Sequence, residues 1–282
     1  MIVSFIITFR ESLEAALIVG IVLSYLVKTK QTAYFNVIFI AIASAIVSSI
    51  VVAILFFIIA GGFTGTAEKS FEGITMLIGA ALLTTMILWM MRQSHIARKL
   101  EEKVATEIAE AHKFGLFFLV FISILREGIE TVIFLASASF ISTDNNLIGA
   151  LIGISVAILL GYIIFVGSKK INLKKFFTIT NVLLILFAAG LVAHGLHELQ
   201  EASIIPIIIE HVWDINPPVN PDGSFQLFHE NGYIGSILKG LFGYNGNPSF
   251  IEVLSYLIYI SVVILLWVKI DKIMKNKVDL KK

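Results

Sequence analysis

Two apolar runs of this chain are interrupted by the same trio of charges. Arg126-Glu127-Gly-Ile-Glu130 lies inside the run from Phe114 to Phe140, and Arg10-Glu11-Ser-Leu-Glu14 lies inside residues 2 to 27. A charged side chain at the centre of a membrane helix costs roughly 2.5 to 3.5 kcal/mol on insertion scales, so six isolated ones cost on the order of 15 to 20 kcal/mol. They must therefore meet one another or face a polar cavity. On a helix, Glu127 and Glu130 share a face and Arg126 reaches Glu130 one turn on; Arg10, Glu11 and Glu14 repeat that geometry. The expectation is one polar site between two helices, its carboxylates facing a cavity and each arginine paired within its own helix.

The surrounding sequence supports a membrane setting. Of 282 residues, 57% are hydrophobic and 15% charged, with mean hydropathy +0.92, which is the balance of an integral membrane chain and not of a soluble globule. A net charge of +1, with basic residues scattered between apolar runs, carries no nucleic-acid signal. The absence of cysteine excludes disulfides, thiolate metal sites and thiol redox chemistry. No basic residue precedes the first run, so residues 1 to 27 read as structure and not as a cleaved signal.

Seven segments hold the ~20 apolar residues a spanning helix needs: 2 to 27, 34 to 60, 73 to 91, 114 to 140, 147 to 167, 176 to 198 and 251 to 270. Lys28 and Lys30, the group from Arg92 to Lys113, the group from Lys169 to Lys175 and the tail from Lys269 all fall on alternate sides, leaving only Lys69 and Lys239 in the other loops. The positive-inside rule then puts the N-terminus outside and the C-terminus in the cytoplasm, as an odd number of helices requires. The second motif begins 116 residues after the first, and each opens a triplet of helices, which implies an internal repeat of inverted topology with its substrate site near the midplane. In such a protein one repeat rocks against the other.

The expected fold is an all-α, polytopic membrane protein: a 3+3 inverted repeat plus one C-terminal helix. Its units are residues 1–91 (first repeat), 92–113 (cytoplasmic connecting helix), 114–201 (second repeat), 202–250 (extracytoplasmic segment) and 251–282 (seventh helix and cytoplasmic tail). Residues 202–250 hold all five prolines yet also many large apolar residues, so they read as folded against the outer membrane surface. Gly79, Gly153 and Gly190 are read as points of close helix approach.

Four intramembrane carboxylates and two arginines leave a site near minus two, which calls for a cation. Oxygen ligands without thiolate suit hard ions such as ferric iron, magnesium, calcium or manganese. Structural ion pairs and a proton relay are the competing readings of the same residues. His194, His197, Glu198 and Glu201 gather at the outer end of the sixth helix, where imidazole and carboxylate together suit a transition metal; helix-end histidines also serve as packing or capping groups. Glu68 and Glu72, which flank the outer end of the third helix, are candidates for the same vestibule along with Glu210, His211 and Asp214, although all five also read as solvated loop charge. Met76, Met86, Met90 and Met91 read as adaptable packing residues and not as a copper path. No phosphate loop or nucleophile triad is legible, and His197-Glu198 lacks the second histidine of the zinc protease helix, so the chain reads as a transporter and not an enzyme.

The paired Arg-Glu-x-x-Glu motifs, together with Gly195-Leu-His-Glu-Leu-Gln-Glu-Ala202 and Leu241-Phe-Gly-Tyr-Asn-Gly-Asn-Pro-Ser249, resemble the oxidase-dependent iron transporter family over nearly the whole chain. The resemblance implies a high-affinity iron permease of the cell membrane that receives iron as ferric ion after oxidation of ferrous iron. Glu11, Glu14, Glu127 and Glu130 become the transport ligands, Arg10 and Arg126 their supports, and Glu198 and Glu201 part of the receiving end. It implies iron as substrate, no organic cofactor, and an extracytoplasmic ferroxidase or iron-delivery protein as partner, and it leaves room for a homo-oligomer. The alternatives are a proton-coupled transporter of another divalent metal such as lead or manganese, or a non-transporting iron sensor that uses residues 92–113 as its output.

Overall fold

In a computed structural model, residues 1–92, 104–106, 113–141, 146–166 and 173–279 are described, and all their regular structure is helical. In chain order the helices are α1 (Ile2–Lys28), a 3-10 turn (Thr32–Tyr34), α2 (Phe35–Ala60), α3 (Thr66–Arg92), α4 (Lys113–Ile141), α5 (Asn146–Val166), α6 (Leu173–Glu201), α7 (Tyr233–Phe242) and α8 (Phe250–Asp279). The seven long ones coincide with the seven apolar runs. Proline is absent from their interiors, and a helix satisfies its own backbone polar groups where no water is present.

Five described helical segments are long and apolar enough to cross a membrane: Thr32–Ala60, Thr66–Met90, Asn146–Phe165, Thr178–Glu201 and Phe250–Ile270. The chain is thus a multi-pass membrane protein. Helices α1 and α4, at 27 and 29 residues, are as long, but each carries one of the charged trios. On α2 only Ile38, Ala41 and Ala45 are buried, while Ile40, Val47, Ile50, Ile54 and Ile58 face outward, which suits a lipid-facing helix.

The helices pack in pairs that cross between the two halves: α1 against α5, α2 against α4 and α3 against α6, with α1 meeting α4 at the centre. Glycine sets the α1–α5 approach, since a Cβ at Gly153 would lie 2.7 Å from the Phe5 carbonyl and one at Gly161 would lie 3.0 Å from Ala16 Cβ. Gly79 likewise abuts Ser137, on α4, and Gly190 abuts Gly243. Helix α8 flanks α3 and α6, joining a core that includes Met76, Leu83, Phe134, Phe187 and Val263.

Two features differ from expectation. Helix α3 begins at Thr66, so Glu68, Lys69 and Glu72 ride on its first turns. Within 202–250 the chain forms α7, whose Ile234, Ile237, Leu238 and Leu241 recur at helical spacing. Its end is closed by Gly243 at φ +68°, with N–H bonds from Gly243 to Lys239 O and from Tyr244 to Leu238 O. Of the expected connector 92–113, most lies outside the described residues; Val104 is buried among Val22, Leu26, Ile38 and Leu116.

Candidate metal site

Helical geometry brings each motif together. Fully buried Arg10 places Nη1 3.3 Å from Glu11 Oε1 and Nη2 3.3 Å from Glu14 Oε1. The same nitrogens donate to the sulfurs of Met86, at 2.9 Å, and Met90, at 3.0 Å, both on α3. Arg126 places Nη2 3.1 Å from Glu127 Oε1 and Nε 3.0 Å from Glu130 Oε1. Its surroundings differ from those of Arg10: the side chain is 47% exposed and its guanidinium lies 5.4 Å from the centre of the Trp89 ring.

Where α1 meets α4, Glu11, Glu14 and Glu127 each bring one carboxylate oxygen to within 4.8 Å of the others. A hard cation holds carboxylate oxygens at about 2.0 to 2.6 Å, so a trio of this spread can close on one ion. Glu11, Glu127 and Glu130 each turn Oε1 to an arginine, while their Oε2 atoms are buried with no hydrogen-bond partner. A buried oxygen without a donor is costly in a metal-free protein. Glu130 stands to one side of the trio, lining a cavity of about 330 Å³ with Leu82, Thr85, Met86, Trp89 and Arg126. The four expected ligands therefore resolve as three together and one adjacent.

A second cluster lies at the C-terminal end of α6. His194, His197, Glu198 and Glu201 line a cavity of about 380 Å³, which Glu210, His211 and Glu230 also line. His197 Nε2 is 3.1 Å from Glu201 Oε1, and His194, 7% exposed, leaves Nε2 buried and unpartnered. Glu68 and Glu72 are not among the residues lining this cavity. Their neighbour Lys69 instead pairs with Glu201 and lies 3.5 Å from Glu198 Oε2. Glu210 and His211 line the cavity while remaining exposed.

Glu252 stands out in the sequence only as part of the family-like stretch that opens the last helix, and is not assigned to the site there. This buried carboxylate lies 2.9 Å from His197 Nδ1 and 4.0 Å from His194 Nδ1, and accepts from Asn245 Nδ2 at 2.7 Å. The Ser249 N–H donates to Glu252 Oε1 while the Glu252 N–H donates to Ser249 Oγ, a capping box that starts α8 and aims the carboxylate at α6. The signal was Ser249-Phe-Ile-Glu252, a serine followed by glutamate three residues on. Met86 and Met90 were passed over as acceptors because spacing alone does not show which helix faces Arg10.

Helices long and apolar enough to cross a membrane, packed beside a largely buried carboxylate trio on α1 and α4, define a polytopic membrane protein with an acidic interior site. The iron permease FTR1 family matches residues 1–273, and the chain belongs to that family. The ferrous iron permease EfeU of Escherichia coli O6:H1 is 32% identical over 266 residues, 92% of each chain. That of Yersinia pestis is 31% identical over 273 residues, 95% of this chain and 93% of the relative. No solved structure matches the chain.

Proposed function

We propose that this protein carries iron into the cytoplasm, binding it between α1 and α4 on Glu11, Glu14 and Glu127 and passing it by way of Glu130. The observation that carries the reading is the convergence of three carboxylate oxygens from two helices within 4.8 Å. Arg10 and Arg126 keep the glutamates in place by taking one oxygen of each, which leaves the others for the ion. Family membership and relatives named ferrous iron permease support iron as the cargo.

On this reading α1 and α4 also span the membrane, making seven spans, with the N-terminus outside. The exchange of partners between halves, α1 with α5 and α2 with α4, supports an inverted repeat of residues 1–91 and 114–201. Residues 92–113 then connect the halves in the cytoplasm, 202–250 cover the outer end of α6, and 251–282 add the last span and tail. His194, His197, Glu198 and Glu201 receive the ion there. An all-oxygen central site is hard, which favours ferric ion handed over after oxidation by a ferroxidase or iron-delivery partner.

The test is radioactive iron uptake in cells that lack other iron carriers, comparing wild type with Glu127→Gln at equal membrane abundance. Loss of uptake in the variant is the expected result. Equal uptake rules out the central site, and repeating the assay with lead or manganese, and with a ferroxidase supplied, separates the neighbouring alternatives.

A further inference from the structure

Lys69 reaches two of the carboxylates that line the cavity at the end of α6. It lies on the first turn of α3, where its ammonium pairs with Glu201 and sits 3.5 Å from Glu198 Oε2. One turn further along α3, Gly73 meets Gly195 of α6 so closely that a Cβ at Gly73 would lie 2.7 Å from the Gly195 carbonyl. The base of the lysine is therefore fixed by a backbone crossing, while its side chain remains 39% exposed and able to swing aside. Deeper in the same cavity, His194 Nε2 is buried with no partner, a nitrogen prepared for a ligand that the protein does not itself supply.

We propose that Lys69 is a tethered counter-cation that occupies the Glu198 and Glu201 carboxylates until a transition-metal ion displaces it, and thereby selects which cations enter. The proposal rests on the permease reading above. A tethered ammonium competes at the high effective concentration of an intramolecular group, so every entering cation bears the same penalty. A cation that takes only carboxylate oxygens, such as calcium or magnesium, gains nothing further to offset it. One that also takes imidazole nitrogen from His194 or His197 recovers the loss. The ligands thus set the ratio of affinities, and the competitor sets the affinity a cation must reach to occupy the carboxylates at its ambient concentration.

The test compares wild type, Lys69→Met, Lys69→Gln and Lys69→Arg in two measurements. In iron uptake with and without excess calcium, the Met and Gln variants show an apparent KM about threefold lower, a maximal rate near wild type, and new inhibition by calcium, while the Arg variant behaves as wild type. In the purified chain, manganese ion binding followed by its electron paramagnetic resonance signal tightens in the same two variants, and the gain disappears when Glu201→Gln is added. A raised KM or a fall in abundance without calcium sensitivity assigns Lys69 a structural role and overturns the proposal. So does an Arg variant that behaves like Met, or manganese binding unchanged by any substitution. Wild type that binds manganese in this way yet carries no iron overturns the permease reading and leaves the competitor role standing.

Discussion

Arg10 and Arg126 occupy equivalent places in the two motifs and hold their glutamates with the same geometry, yet their surroundings are unequal. Arg10 is fully buried against two thioethers, whereas Arg126 is about half exposed beside Trp89. Removing one partner of a fully buried ion pair leaves an uncompensated charge and costs about 3 to 5 kcal/mol, whereas Arg126 lines an open cavity that can solvate the glutamates left behind, so its removal costs less. Arg10→Gln is therefore expected to lower the thermal unfolding temperature of the detergent-purified protein much more than Arg126→Gln; equal losses would falsify the asymmetry. The pairing within each motif was legible, because residues four apart on a helix must meet. The asymmetry was not, since it depends on which side chains of α3 lie opposite. The capping geometry of Glu252 was within reach of Ser249-Phe-Ile-Glu252, but its aim at two histidines depends on how α8 leans on α6.

At the level of elements, the long apolar runs were read to within a few residues except at the start of α3 and the end of α8, where polar residues extend the helix beyond its apolar stretch. Residues 202–250 read as folded but without assigned elements, although Ile234, Ile237, Leu238 and Leu241 carry the period of α7. The α1–α5 seam was legible at Gly153 alone, although Gly149, Gly153, Ala157 and Gly161 recur every fourth residue and a Cβ on Gly149, Gly153 or Gly161 would lie 3.0 Å or less from residues 1 to 16. The end of α7 gives a sharper test. Gly243 adopts φ +68° and its added Cβ would lie 2.5 Å from Gly190 Cα, whereas Gly65 at φ +61° has nothing within 4 Å. Both lose about 1 kcal/mol to backbone strain when replaced by alanine, and Gly243→Ala bears a further overpacking cost of about 1 to 3 kcal/mol. Thermal unfolding should therefore rank Gly243→Ala well below Gly65→Ala, with the wild type above both; similar values would show that α7 yields without cost.

For the whole molecule, the arrangement of pairs bears on how an ion could be exposed first to one side and then to the other. If residues 1–91 rocked as a body against 114–201, the seams between α1 and α5, α2 and α4, and α3 and α6 would all have to slide, and these are the most extensive in the protein. Close-packed seams resist sliding because every displaced contact is lost at once. The motion that leaves them intact moves mixed pairs, α1 with α5 and α2 with α4, relative to each other about the boundary where Glu11, Glu14 and Glu127 meet. The chain has no cysteine of its own, so engineered pairs report cleanly. A disulfide drawn from Ala41 or Ala45 to Leu116 or Val120 in their shared core joins α2 to α4 inside one pair. It is expected to leave iron uptake close to that of the reduced protein. A bond from α1 to α4, drawn from Val22 or Leu26 to Leu116 or Val120 in their shared core, crosses the moving boundary and should stop uptake until reductant restores it. If the first bond stops uptake and the second does not, the halves move as sequence-contiguous bodies, and the extensive seams between them must reform in each cycle.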